Sequence, residues 1–148
     1  MITFFKNKDI FKSSAECLVN PVNVVGVMGA GLALQFKTRY KLNYITYKEA
    51  CDEGYIRIGC GLNVKEYDKY IFNFPTKKHW KDPSKLEYIE LGLIDLAEHI
   101  FQFDINSVAI PALGCGLGGL DWNDVRPLIE KFEKKLNINV DIEIYEPN

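Results

Sequence analysis

A mixed α/β layered domain, with helices packed on a sheet, is the fold class predicted by three features of this sequence. Short runs rich in β-branched and aromatic residues alternate with runs of helical period. The two strongest helical runs each follow a capping residue, and two glycine-rich stretches come directly after β-rich runs. The 148 residues, 47% of them hydrophobic, suffice for one core, so a single domain over residues 1–148 is expected.

The elements follow in order. Ile2–Phe5 (ITFF) has strand composition, and Asp9 stands where an N-cap would open a short turn through Ile10 and Phe11. Residues 17–20 form a buried-looking strand ended by Asn20-Pro21, a turn-initiating pair. Residues 29–40 carry Leu32, Leu34 and Phe36 among helix formers, and 44–53 continue helical. Strands are expected at 58–64 and 70–74. Ser84-Lys-Leu-Glu87 has the capping-box pattern, followed by Leu86, Ile89, Leu93, Leu96 and Ile100 at three- and four-residue spacing. After a strand at Ser107–Pro111, Asp121 caps a helix bearing Val125, Leu128, Ile129, Phe132 and Leu136, with Lys131, Lys134 and Lys135 late, where cations suit the helix dipole. Trp122 is expected to open that helix by packing. A strand at 140–145 closes the chain.

Composition excludes several function classes. Eighteen Lys plus Arg against twenty Asp plus Glu give a formal charge of −2, so no global positive field holds nucleic acid, and any such contact is local. Residues 15–27, among the longest apolar stretches, are broken by Glu16, Asn20, Pro21 and Asn23 and fall short of the roughly 20 apolar residues of a membrane helix. The first residues lack the pattern of a secretory signal, so a cytoplasmic location is expected. Cys17, Cys51, Cys60 and Cys115 form no CxxC pair and His79 and His99 have no metal-ligand spacing, which predicts reduced thiols and no metal.

The chemistry concentrates in three segments. VNPVNVVGVMGAGL (19–32) and IPALGCGLGGL (110–120) each place glycines between a β-rich run and a helix. There main-chain amides can approach a ligand and a helix N-terminus favours an anion. Two such loops facing each other suit a diphosphate, although glycines that merely permit tight turns are the plain alternative for either loop alone. No GK[ST] follows, so neither is a Walker A loop. Asn20 and Asn23 could serve ribose hydroxyls or, more plainly, shape a turn. Asp9 could accept from an exocyclic amine such as that of adenine. The third segment, NFPTKKHWKDPSK (73–85), gathers Lys77, Lys78, Lys81 and Lys85 around His79 and Trp80, a local basic and aromatic surface that can hold a nucleotide strand. Lys77 stands apart because it comes at a strand end, where a side chain can reach a crevice at the sheet's carboxyl edge. Cys115 has no base placed beside it by sequence and reads as packing rather than nucleophile.

Together these segments resemble the macrodomain, the ADP-ribose-binding fold, in the branch containing the DarG antitoxin macrodomain and the vertebrate terminal ADP-ribose glycohydrolase. The resemblance covers essentially the whole chain and rests on VNPVNVVGVMGAGLALQFK, NFPTKKHWKDPSKLEYIELGL and IPALGCGLGGLDW. It implies a three-layer α/β/α sandwich with a mixed, mostly parallel sheet of about six strands. It further implies ADP-ribose as ligand and product, with Asp9 on the adenine amine and Ile10 in a main-chain contact. Gly29, Ala30, Gly31 and Leu32 would wrap the diphosphate and distal ribose from one side, and Gly114, Cys115, Gly116, Leu117 and Gly118 from the other. Asn20 and Asn23 would line the distal ribose, and Lys77, directly after Thr76, matches the family's catalytic lysine.

The implied reaction is cleavage of the glycosidic bond at the distal anomeric carbon, releasing ADP-ribose from a thymine base in single-stranded DNA without a metal or other cofactor. Lys77 would attack an opened sugar aldehyde or transfer a proton, and Lys78, His79, Trp80 and Lys81 would contact the nucleic acid. A DarT-type toxin counterpart, a monomeric state and no membrane association go with this reading. Its rivals are a reader that binds ADP-ribose without turnover and a phosphatase acting on ADP-ribose 1''-phosphate. Two departures are visible. Gly118 occupies the place of the vertebrate enzyme's second-loop aspartate, as in the DarG pattern, and Lys8 replaces the glycine usual before Asp9.

Overall fold

The computed structural model describes residues 1–136 and 139–148. Six strands, β1 (Ile2–Phe5), β2 (Cys17–Asn23), β3 (Leu62–Glu66), β4 (Lys69–Lys77), β5 (Ser107–Pro111) and β6 (Asp141–Tyr145), form one sheet in the order β1-β6-β5-β2-β4-β3. All neighbouring pairs are parallel except β3 with β4. Four α-helices, α1 (Gly31–Arg39), α2 (Lys41–Asp52), α3 (Leu86–Gln102) and α4 (Trp122–Lys135), cover the two faces, giving the layered α/β domain that the periodicity predicts and the three-layer sandwich that the resemblance implies.

The layers follow from the two-residue period of the strands. Cys17 and Val19 of β2, Phe72 and Phe74 of β4, and Val108 and Ile110 of β5 share one core with Ile89, Leu93, Leu96 and Ile100 of α3 and Val125, Ile129 and Phe132 of α4. The intervening residues turn the other way: Leu18, Ile71 and Ala109 pack with Phe36 of α1, and Val22 packs with Tyr47 and Ala50 of α2. The amphipathic spacing read in α3 and α4 is therefore largely the spacing of their buried faces, except that Leu86 is exposed and Leu136 follows the last residue of α4.

Several boundaries differ from the sequence expectation. Strand β2 does not stop at Asn20 but runs through Pro21 to Asn23, with a register irregularity at Val22/Asn23, and β4 likewise continues through Pro75 to Lys77. Residues 58–61 are not strand: Gly59, at φ +79°, makes a tight turn bridged by Arg57 and Cys60. The capping box at Ser84 is not formed. Helix α3 starts at Leu86 with Lys85 as a cap that makes no side-chain bond. The Ser84 N–H donates instead to the Gly118 carbonyl (2.9 Å), so Ser84 belongs to the contact between α3 and the second glycine loop. Asp121 does cap α4, accepting from the Asn123 N–H at 2.9 Å.

Candidate functional site

The carboxyl ends of the parallel strands open into one cleft of about 890 Å³, where an α/β sheet of this kind places its ligands. Both glycine loops and the end of β4 line it: Gly29, Ala30, Gly31 and Leu32 on one side, Gly114, Gly116, Leu117 and Gly118 on the other, with Thr76, Lys77 and Trp80 between. Asp9 and Ile10 line the end near the carboxyl terminus of β6.

The first loop is built by Asn23. Its Oδ1 accepts from the N–H groups of Val25 (3.1 Å) and Val27 (3.3 Å), and its Nδ2 donates to the Val27 carbonyl (2.8 Å). The buried Tyr47 hydroxyl lies 3.0 Å from the same Oδ1, and burial raises that phenol's pKa well above the ordinary value. Asn23 lines the cleft, yet most of its hydrogen-bonding capacity fixes the turn that delivers Gly29 to Gly31. Gly31 adopts φ +56°, a left-handed conformation that glycine takes without strain. Helix α1 then begins with an Ala30 cap that makes no side-chain bond and with no acidic residue in its first turn. The amides of Gly31, Leu32 and Ala33 precede the first helical hydrogen bond, Leu34 N–H to the Ala30 carbonyl, so they remain available to an anion.

The second loop presents a matching set. Cys115, Gly119 and Leu120 spend their N–H groups on loop carbonyls, whereas the amides of Gly116, Leu117 and Gly118 make no hydrogen bond within the described residues. The two runs of free amides line one cleft, the arrangement expected for a diphosphate.

Lys77, the last residue of β4, lies opposite Asn23 in the strand register. Its Nζ donates to the carbonyls of Trp80 (3.3 Å) and Leu117 (3.2 Å) and has no carboxylate partner within the described residues. Thr76 Oγ1 is tied to the Val22 carbonyl at 3.4 Å. Asp9 uses Oδ1 to accept from the Phe11 N–H at 2.9 Å, which is the capping role read from sequence, and leaves its second carboxylate oxygen for a ligand.

Two expected contacts are not in the cleft. Asn20 is fully buried beneath it, on the α2 side of the sheet, and its Nδ2 donates to Asn73 Oδ1 at 3.1 Å. The same strand alternation that sends Leu18 inward sends Asn20 inward. Cys115 turns away from the cleft, its Sγ donating to the Leu113 carbonyl at 3.6 Å. Burial, helped by Asp121, pushes the thiol up to about 11, which suits packing rather than nucleophilic attack. Lys78, His79 and Lys81 lie outside the cleft lining, on the surface beside it, where Lys78 and Lys85 flank the Tyr88 ring and Lys81 sits 4.9 Å from the centre of the Trp80 ring.

Sequence reasoning missed the contributions of Lys8, Gln35 and residues 145–148 to the lining. The tail reaches the cleft because β6 pairs with β1 and so ends beside Asp9, a consequence of strand order that carries no local signal. Among the described residues, no three His, Cys, Asp or Glu side chains come together in a group able to hold a metal ion, and no helix is long and apolar enough to cross a membrane.

Comparison with known proteins places this geometry. The chain is 48% identical, over all of its length, to the "DNA ADP-ribosyl glycohydrolase" of Mycobacterium tuberculosis, and spans 43% of that protein's length. The solved "Macrodomain of Mycobacterium tuberculosis DarG" superposes with a TM-score of 0.95 at 49% identity, covering 100% of this chain and 99% of that one. "Thermosipho africanus DarTG in complex with ADP-ribose" superposes with a TM-score of 0.91 at 34% identity, covering 99% of this chain and 41% of that one. The Macro domain family model matches residues 19–129, from the strand that begins the first glycine loop to the middle of α4. With the six-stranded sandwich and both amide-lined loops in place, the chain belongs to the Macro domain family.

Proposed function

We propose that this domain removes ADP-ribose from a nucleobase in single-stranded DNA, cleaving the glycosidic bond at the distal anomeric carbon. The observation that carries this reading is the position of Lys77: a lysine amine without a carboxylate partner, at the strand end between two diphosphate-binding loops. The activity named for the Mycobacterium tuberculosis relative, aligned along this whole chain, supports the same reaction. Because the chain spans less than half of that relative, its substrate and its partner, a DarT-type toxin, are part of the proposal.

Adenine lies at Asp9, whose free carboxylate oxygen accepts from the exocyclic amine. The diphosphate lies between the amides of α1's first turn and those of Gly116 to Gly118. This leaves the distal ribose beside Lys77. Two carbonyls occupy two of the bonds of Nζ, and the one remaining position of the ammonium carries a proton toward the substrate. As the bond from the anomeric carbon to the base breaks, Lys77 protonates the leaving base; water then adds at the anomeric carbon and returns a proton to the Lys77 amine, giving free ADP-ribose, the restored base and the ammonium regenerated.

The test is release of ADP-ribose from single-stranded DNA carrying it on thymine, with a glutamate-linked protein substrate as comparison. Lys77→Ala and Lys77→Arg should each lower kcat on DNA by about 100-fold or more, the range of a lost proton donor, while free ADP-ribose still binds. Undiminished release by Lys77→Ala overturns the assignment.

A further inference from the structure

The cleft is flanked at Lys77 by two large side chains that folding does not explain. Trp80 is 50% exposed and Leu117 75% exposed, both line the cleft, and they belong to different loops, β4–α3 and β5–α4. Their carbonyls are the two that receive Lys77 Nζ, at 3.3 and 3.2 Å, so both residues are held around one amine. The Trp80 ring is also held by neighbours on its own loop. The His79 ring lies 5.1 Å away, centre to centre, Lys81 Nζ lies 4.9 Å from the ring centre, and His79 Nδ1 accepts from the Lys81 N–H at 3.1 Å.

An exposed indole held by its neighbours is suited to stacking on a flat, desolvated partner. ADP-ribose fills the amide-lined part of the cleft, and what extends past Lys77 is whatever the distal anomeric carbon is attached to. A nucleobase offers two apolar faces there, and a carboxylate acceptor offers none. We propose that Trp80 and Leu117 are the jaws of an acceptor subsite that grips the nucleobase being released, with Trp80 favouring a base over a carboxylate. The gripped base must be unpaired and out of its stack. The inference rests on the reading above, which lays ADP-ribose along the amide-lined part of the cleft and its released nucleobase at Lys77.

Because both jaws act through side chains while Lys77 is held by their backbone carbonyls, Trp80→Ala and Leu117→Ala remove the grip and keep the amine's hydrogen bonds. The probes are ADP-ribose alone and thymidine bearing ADP-ribose on its base, a ligand without a phosphate strand for the lysines to hold. Base–aromatic stacking is worth about ten- to a hundred-fold in affinity. Trp80→Ala should therefore raise KM for the modified thymidine by about that factor while changing the Kd of ADP-ribose less than about twofold. Trp80→Phe should restore most of the loss, and Leu117→Ala should act in the same direction more weakly. An unchanged KM in Trp80→Ala, or an equal loss of ADP-ribose affinity, overturns the subsite. If the native domain does not turn over the modified thymidine, the preceding reading is decided separately, by release from modified single-stranded DNA. The ratio of Kd values for the two probes then decides the grip: a ratio that favours the modified thymidine and collapses in Trp80→Ala supports it, and equal affinities refute it.

Discussion

Gly118 illustrates how one hydrogen atom in place of a side chain decides what the second loop can do. A Cβ at this position would meet Ser84 Oγ and the Gly114 carbonyl, whose oxygen is 2.5 Å away. The loop is pressed against the start of α3, where Ser84 N–H holds the Gly118 carbonyl. Gly116, two residues earlier, has nothing within 4 Å of the corresponding point. The two glycines therefore predict different effects on stability. Gly118→Ala should destabilise the domain by about 1–3 kcal/mol in urea unfolding, the cost of overpacking a close contact, and should weaken ADP-ribose through the displaced loop. Gly116→Leu should leave the unfolding midpoint nearly unchanged and still weaken ADP-ribose, because the new side chain occupies space beside the amides. Equal stability losses in both variants would show that the loop is not pinned at Ser84. The spacing of glycines was readable in the sequence. Which glycine faces a neighbour and which faces the ligand was not, since the neighbour is Ser84, 34 residues earlier in the chain and read there as a helix cap.

At the scale of elements, a buried amide network holds α2 to the sheet beneath the cleft. Asn73 Oδ1 of β4 accepts from Nδ2 of Asn20 in β2 (3.1 Å) and from Nδ2 of Asn43 in α2 (3.0 Å), and Asn73 Nδ2 donates to Asn43 Oδ1 (2.7 Å) and to the Leu62 carbonyl of β3 (3.1 Å). All three asparagines are fully buried. Asn43 is further fixed by its N–H, which donates to Glu66 Oε1 at 2.7 Å. Asn73→Leu keeps the γ-branched outline and removes the hub, leaving several buried groups unpaired at about 1–3 kcal/mol each. The expected result is a loss of 3 kcal/mol or more in urea unfolding, with a double variant Asn73→Leu/Asn43→Leu less destabilised than the two single losses added together. Strict additivity would mean the amides do not act as a unit. This network also explains why Asn20, expected beside the ribose, is buried beneath the cleft. Periodicity reveals that a residue points inward, but only the fold reveals that residues 20, 43 and 73 converge. Asn23, three positions after Asn20, reaches the cleft, and the strand's continuation through Pro21 is what separates the two fates.

At the scale of the molecule, much of the architecture was legible because each layer has its own period: alternation in β2, β4 and β5, and three- and four-residue spacing in α3 and α4. Strand order was not, and with it went the carboxyl-terminal side of the cleft. Charge is the other whole-molecule property, and it bears on the proposal that a chain of net charge −2 engages DNA. Under that proposal the attraction comes from the local lysines beside the cleft, so the salt dependence of DNA binding should count them. Lys78 and Lys85, 6.0 and 5.8 Å from the Tyr88 ring centre, are the pair to neutralise, because neither touches the Trp80 ring in the way Lys81 does. Each phosphate contact on a single strand contributes about −0.7 to the slope of log K against log salt. Lys78→Gln/Lys85→Gln should therefore flatten the slope for an ADP-ribosylated single strand by about 1.4, as measured by fluorescence anisotropy between 50 and about 200 mM salt, and should leave free ADP-ribose affinity unchanged. A slope unaltered by the double substitution would mean that the strand leaves the cleft along another face. A matching loss in ADP-ribose affinity would mean that the lysines serve the cleft's ligand rather than the DNA backbone.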